Sequence, residues 1–342
     1  MPSTPANRLR RFERAATWSV AILAAAAGLL AQWVPDLAVA APGPIGFAAE
    51  ALASMWRPVS ALVAALALGA WTRRHRGPAA VLAAAALLTA GPQLWALVPT
   101  PGPPAATGPT LRLASVNLCA EHPADPQMAP ALLQLDADVL VLLEVTRAWQ
   151  ARLEPVLGAM YPHRWLAAAP PEPGVSTDGL RVAVWSRLPA AGAVEARHLM
   201  QRNSQIRVPL RWRDRTFALY GIHLWKPFPY SLWRSCWRQR RELLAWLDDE
   251  TLPMVVAGDF NATPRSSFVA ALRERALGHA AEQVRGSAPV TWPTTPWWRL
   301  PVRVPIDHVM CSAELRPVAF DRGPANGSDH WPVVVELTWS RS

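Results

Sequence analysis

The chain has 342 residues, 51% of them hydrophobic, which is enough for one large domain and additional material. Its formal charge of +9 is divided: eight arginines against three acids give residues 1–107 a net +5, leaving +4 for the rest. So small an excess speaks against a dedicated nucleic-acid surface. Cys119, Cys236 and Cys311 are odd in number and lack metal-ligand spacing; Cys119 and Cys311 lie beside predicted strand ends and read as small buried residues, which do not report a redox compartment.

The first hundred residues are rich in alanine and leucine. A membrane-spanning helix needs roughly 20 apolar residues, and three segments approach that, at about 17–34, 52–72 and 79–98. Trp18, Trp33 and Trp95 lie near their ends as interface anchors. The second reaches full length only if Arg57 snorkels outward. A cleaved signal peptide competes for the first, with Arg8–Arg14 as its basic region and Ala38-Val39-Ala40 as its cleavage site. Arg8, Arg10, Arg11 and Arg14, then Arg73, Arg74 and Arg76, hold the N-terminus and the second loop in the cytoplasm by the positive-inside rule. Residues 1–98 therefore read as a membrane anchor that leaves the rest of the chain outside the cytoplasm. Residues 99–109 are a proline-rich, semi-rigid linker, and residues 110–342 form the second domain.

Beyond the linker, apolar strand-like runs end in polar residues. Leu111–Val116 ends at Asn117; a helix is predicted over Asp125–Leu135; Ala137–Leu143 ends at Glu144. Arg181–Ser186 reads as a strand, Thr216–Ile222 as a strand ending at His223, and Ser231–Asp248 as a helix. Leu252–Ala257 runs into Gly258-Asp259-Phe260-Asn261, followed by a helix over Phe268–Ala276. Val302–Pro305 leads into Ile306-Asp307-His308, and Ser328-Asp329-His330 precedes the strand Val333–Leu337. Residues two apart in a strand share a face, so Asp259 and Asn261 present either two oxygen ligands suited to a hard cation or a turn capped by their side chains. Polar groups gathered at the ends of buried strands mark where α/β proteins place chemistry.

The order Asn117, Glu144, His223, Asp259-x-Asn261, Asp307-His308, Ser328-Asp329-His330 resembles the endonuclease/exonuclease/phosphatase superfamily over residues 110–338. Gly179 through Pro189 resembles that family's glycine-to-serine-arginine-proline strand. The resemblance implies a four-layer α/β sandwich, two packed mixed β-sheets flanked by helices in the DNase manner. It also implies a divalent cation, Mg2+ or Mn2+, at Glu144 with Asn117 bonded nearby and Asp329 in support. His330 becomes the general base partnered by Asp307. Asp259 and Asn261 orient water and phosphoryl group, with base and orienter fitting Asp259 equally, and His223 donates to a phosphoryl oxygen. His308 points to the other face and reads as structural. Many family nucleases carry an acid where this chain has Cys119, which puts a second metal in doubt and disfavours a nuclease.

The segment Trp225–Trp246 is both aromatic and basic. Arg234, Arg238 and Arg241 share a helical face, beside a stripe of Trp233 and Trp237. Two readings fit: a surface for lipid headgroups or a lipid pyrophosphate, with Arg234, Arg238 and Trp225 binding substrate, or an amphipathic helix packed on the sheet with its arginines in water. Trp292, Trp297 and Trp298 form a second group, suited to the opposite wall of the cleft. Together these features predict a membrane-anchored, metal-dependent phosphoesterase acting outside the cytoplasm on a phosphorylated, lipid-linked substrate. Its architecture resembles the membrane phosphatases of teicoplanin resistance, which act on undecaprenyl pyrophosphate. The alternatives are an extracellular endonuclease, for which nucleic acid would be the partner, a phospholipid phosphodiesterase, and an inactive module that binds lipid or a partner.

Overall fold

The computed structural model describes residues 11–26, 43–95, 108–121, 125–167, 181–199, 203–294 and 303–340. The chain divides into an N-terminal unit built on residues up to Val98 and a larger unit built on those from Pro99.

The N-terminal unit is helical: α1 (11–26), α2 (Pro44–Ser54), α3 (Trp56–Thr72) and α4 (Arg76–Trp95). Small side chains, among them Ala21, Ala67, Ala70, Ala79 and Ala85, pack with Val63 and Leu82 in its core. Large apolar side chains, Ile22, Leu23, Ile45, Leu62, Leu68, Trp71 and Leu87, face outward. Among the described residues no single helix is long and apolar enough to cross a membrane. The expected span at 52–72 is not one helix. α2 and the Val59–Thr72 part of α3 pass the length and composition test only together, and they meet at a 75° bend. Pro58 stands next to the break: without an N–H it cannot bond the Ser54 carbonyl and carry α2 onward, whereas a proline is tolerated in the first turn of a helix. Of the other two expected spans, residues 27–34 and 96–98 lie outside the described residues.

The larger unit runs β1 (Leu111–Asn117), α5 (Met128–Leu135), β2 (Val139–Leu143), α6 (Arg147–Leu157), β3 (His163–Ala167), β4 (Val182–Ser186), β5 (Glu195–Leu199), β6 (Asn203–Trp212) and β7 (Arg215–His223). It continues with α7 (Tyr230–Asp248), β8 (Met254–Asp259), α8 (Ser267–Glu274), β9 (Gly278–His279), α9 (Ala280–Arg285), β10 (Asp307–Cys311), β11 (Leu315–Arg322) and β12 (Val333–Trp339). Two six-stranded sheets result, ordered β11-β12-β1-β2-β4-β3 and β5-β6-β7-β8-β10-β9. Each has one parallel pair at its centre, β1 with β2 and β7 with β8, and antiparallel pairs elsewhere.

Strand alternation builds the layers. Leu113, Val141, Val184 and Val335 of the first sheet meet Val208, Leu219, Val255 and Val309 of the second in the central core. The opposite face of the first sheet packs on α5 and α6 through Leu132, Trp149 and Leu153. The opposite face of the second packs on α7 and α8 through Leu243, Trp246, Val269 and Leu272. Two mixed sheets flanked by helices are therefore the architecture, as the sequence implied. Each fully buried Leu or Val contributes roughly 1.5–3 kcal/mol, so the central core is the main source of stability.

Five strands escape sequence reading, among them the two-residue β9. β6 carries Pro209, tolerated because it lies beyond the stretch paired with β5, which ends at Arg207. β11 carries Pro317 and a bulge between Pro317 and Ala319. β3 and β5 are five-residue strands at sheet edges with mixed polarity.

Candidate active site

The topology brings the polar strand ends to one place. β1 and β2 are parallel, so Asn117 and Glu144 leave the same end of the first sheet. β12 is antiparallel to β1 and pairs Val333 with Ser115, which sets the preceding Asp329 and His330 at that end too. In the second sheet, parallel β7 and β8 place His223 opposite Asp259, and antiparallel β10 places Asp307 opposite Asp259 from the other side.

Local backbone geometry then aims these groups. Gly258 has φ of +146°, and a Cβ there would collide with the Ile222 carbonyl, so only glycine lets β8 run this close to β7. Cys119, Glu144 and Asn261 all adopt left-handed φ, +59°, +55° and +44°. Non-glycine residues in that region cost on the order of 1 kcal/mol or more each, and they persist where surrounding bonds over-determine them. Both Glu144 oxygens are so held: Oε1 accepts from Asn117 Nδ2 (3.1 Å) and Oε2 from the Ala120 amide (2.8 Å). The Asn117 Oδ1 accepts from the Cys119 amide (3.0 Å), so Asn117 orients Glu144 and also pins the following turn.

Asp259 is the hub. Its Oδ1 accepts from the Asn261 amide (2.8 Å) and its Oδ2 from Asn261 Nδ2 (3.2 Å). Nε2 of His223 and Nε2 of His330 both approach Oδ2, at 3.9 and 3.8 Å, and His223 Nε2 is 3.7 Å from Glu144 Oε1. His330 Nδ1 bonds Asp307 Oδ2 at 2.9 Å, and the Ser328 hydroxyl accepts from the His330 amide (3.1 Å). Asp329 Oδ2 accepts from Trp292 Nε1 (3.0 Å). Trp292 also stands beside His330, ring centroids 6.4 Å apart.

The site carries more negative than positive charge. Burial raises the Asp259 carboxyl well above its ordinary range, and the Asp307 and Glu144 carboxylates add to this against the opposing pull of His330. Burial pulls His330 down, but Asp307, Asp259 and Asp329 together outweigh it and raise the imidazole to about 10. Burial lowers His223, with Glu144 opposing and His330 assisting. Four carboxylates against two imidazoles, offering mostly oxygen donors, form a set whose chemistry fits a hard divalent cation. Asp259, Asp307 and His330 present ligand atoms within 4.8 Å of one another. Burial and the neighbouring Asp329 push the Cys119 thiol up to about 11, so at the family's acidic position this chain offers a neutral group.

Of the other residues singled out from the sequence, Trp225 follows Leu224, whose amide donates to the Asp259 carbonyl (2.9 Å) and whose carbonyl accepts from Asn261 Nδ2 (2.8 Å). Trp225 is half-buried, its amide donating to Gln239 Oε1 (2.8 Å). Arg234 and Arg238 are on the exposed side of α7, whereas Trp233 and Trp246 are buried. Exposed arginines fit either reading of that segment, and among the described residues no hydrogen bond or ion pair joins either arginine to the cluster. Trp297 and Trp298 lie outside the described residues. A cavity of about 470 Å³, lined in part by Arg147, Glu154, Arg164 and Trp185, is separate from the cluster residues.

Several supporting residues had no signal in the sequence. Gln205 on β6 grips the His223 backbone from both sides, accepting from its amide (2.6 Å) and donating to its carbonyl (2.7 Å). Thr291 Oγ1 accepts from the Ile306 and Asp307 amides. The buried Arg240 donates to the Asn261 carbonyl (3.1 Å). All three bridge elements distant in sequence, which spacing cannot reveal.

Residues 114–330, more than half of the chain, match the model of the endonuclease/exonuclease/phosphatase family. No curated protein gives a significant match. Similar solved structures include an endonuclease/exonuclease/phosphatase from Beutenbergia cavernae DSM 12333, 23% identical with a TM-score of 0.53, covering 68% of this chain and 72% of that one. The human nocturnin catalytic domain with bound sulfate is 20% identical, TM-score 0.53, over 68% of this chain and 94% of the other. Humanized D. rerio TDP2 is 15% identical, TM-score 0.54, over 67% and 99%. At these identities the likeness carries the fold.

Proposed function

The chain belongs to the endonuclease/exonuclease/phosphatase family and is a metal-dependent hydrolase of phosphate ester bonds; from that premise we propose that it is a membrane-anchored phosphoesterase acting outside the cytoplasm on a lipid-linked phosphate, with a lipid pyrophosphate as the first candidate. The observation that carries the catalytic part is the convergence of His223 and His330 on one oxygen of Asp259, beside Glu144. In this reading residues 1–98 are the anchor, 99–109 the linker and 110–342 the catalytic domain. Its support is the N-terminal unit's outward-facing Leu62, Leu68, Trp71 and Leu87 and the arginine distribution of the first 107 residues.

Glu144, oriented by Asn117 and backed by Asp329, would hold magnesium or manganese, whose charge would offset that of the phosphoryl oxygens. Asp259 Oδ2, in its ionised form, takes the proton of the attacking water, and burial strengthens its hold on that proton. His330, kept in orientation by Asp307, presents Nε2 to a phosphoryl oxygen as a charged donor. From sequence His330 reads as the base; the donor role is part of this proposal, supported by the surrounding carboxylates, which favour the protonated ring. His223 supplies a second donor from the opposite side.

Phosphate release from a lipid pyrophosphate, 4-nitrophenol release from bis(4-nitrophenyl) phosphate and nicking of supercoiled DNA by the full-length protein, each with magnesium, manganese or EDTA, test the proposal. Expected are turnover of the lipid pyrophosphate, its loss in EDTA, and a fall of about 100-fold or more in Glu144→Gln. Nicking of DNA with no lipid turnover would make the chain a nuclease. A reporter fused to the C-terminus should signal outside the cytoplasm; a cytoplasmic signal ends the topological claim.

A further inference from the structure

We propose that His308, fixed in place by His279, is a positioning residue for the Asp259–Asn261 turn. The inference rests on the reading that Asp259 lies at the reacting centre, and it gives a role to two buried histidines that touch none of the reacting groups.

Asp307 and His308 are consecutive on β10, so their side chains leave opposite faces of the second sheet. Asp307 reaches His330, whereas His308 is buried beneath the turn that follows β8. The pairing of His308 with Gly258 sets it there. Its Nε2 lies 2.7 Å from the Ala262 carbonyl, its Nδ1 lies 2.9 Å from His279 Nε2, and the Phe260 ring meets it edge-on at 5.3 Å.

The hydrogens in this chain have one consistent arrangement. A carbonyl only accepts, so His308 Nε2 carries the hydrogen. For a neutral ring Nδ1 is then an acceptor, and His279 Nε2 donates to it. His279 Nδ1 in turn accepts from the Glu282 amide (3.4 Å), capping α9. Burial drives both rings to the neutral form, lowering each to about 3. A directed line of hydrogen bonds thus runs from the N-terminus of α9 through two imidazoles to the Ala262 carbonyl.

That carbonyl follows Asn261, whose left-handed φ needs outside restraint. Asn261 holds both oxygens of Asp259, and Oδ2 is the one facing His223 and His330. Without a donor, the buried Ala262 carbonyl would seek another partner, and the residue that orients Asp259 would move with it. An apolar side chain of equal size would fill the space and leave this restraint absent.

The test compares His308→Gln, whose amide nitrogen reaches roughly where Nε2 does, with His308→Asn, which keeps a group near Nδ1 but loses the Ala262 bond. With full-length protein, magnesium and bis(4-nitrophenyl) phosphate, His308→Asn should lower kcat about 10- to 100-fold with KM unchanged. His308→Gln should recover most of that loss, and in an Asp259→Asn background His308→Asn should cost little more, since the two act in series. Equal losses in the Gln and Asn variants, or a full further loss in the Asp259→Asn background, would overturn the inference. If His308→Asn fails to fold, His279→Gln, one link further away, takes its place and should cost less than His308→Asn but again in kcat alone; a change confined to KM or to melting temperature overturns the role. Full activity of Asp259→Asn itself would instead remove the proposed role of Asp259, a different failure from the others.

Discussion

On the two faces of β10, neighbouring residues support imidazoles in opposite charge states. On the inner face Asp307 bonds His330, and a surplus of carboxylates holds that ring protonated. On the outer face His308 bonds His279, and burial outweighs the weaker pull of Asp307 and Glu282 on His308 and holds both rings neutral. Burial is nearly complete in both places, so burial alone does not decide a histidine's charge; the number of carboxylates within reach does. One strand can therefore serve a polar reacting centre and a structural hydrogen-bond line with a single-residue step between them.

The largest effect expected from breaking this contrast is on the inner face. Asp307→Asn leaves the His330 ring with a partner but no charge, and kcat on bis(4-nitrophenyl) phosphate should fall about 100- to 10,000-fold. A loss under tenfold would mean that the Asp307–His330 pair is not part of the chemistry. By comparison, the outer-face substitutions described above are expected to cost less.

The contrast also predicts stability slopes of opposite sign. His330 is raised from 6.5 to about 10 on folding, so its contribution is fully present below pH 6.5 and is lost as pH rises through about 10. His279 and His308 are lowered from 6.5 to about 3, so theirs is present above pH 6.5 and is lost as pH falls toward 3. Urea unfolding of the full-length chain in detergent and EDTA should show both arms. Asp307→Asn should flatten the alkaline arm. In the smallest effect expected, His279→Gln should flatten part of the acid arm, since one of two histidines is removed. An acid arm unchanged in both His279→Gln and His308→Gln would show that other groups cause it.

The inner face was largely legible from sequence and the outer face was not. Asn117, Glu144, His223, Asp259, Asp307 and His330 each end or precede an apolar strand, and strand ends in two sheets sharing one direction converge. His308 was recognised only as facing away, because its partner His279 lies on β9, a two-residue strand with no periodicity to detect. Gln205 was hidden for a related reason, sitting on a strand whose pattern Pro209 interrupts. In the N-terminal unit hydropathy reported composition correctly but not continuity. An apolar count over 52–72 does not register Pro58, which cannot bond the Ser54 carbonyl, next to the break between two helices that meet at 75°.

The order of pairings across each sheet has a further consequence. Both read antiparallel, antiparallel, parallel, antiparallel, antiparallel. The catalytic unit is thus a repeated half in its hydrogen-bond pattern, with β1–β2 corresponding to β7–β8. Under that correspondence the first strand of each pair ends in a hydrogen-bonding side chain, Asn117 or His223, and the second leads to a carboxylate, Glu144 or Asp259. In the proposed mechanism one of these two equivalent slots grips a cation and the other handles a proton, so the asymmetry of the chemistry would rest on side chains placed by a repeated pairing pattern.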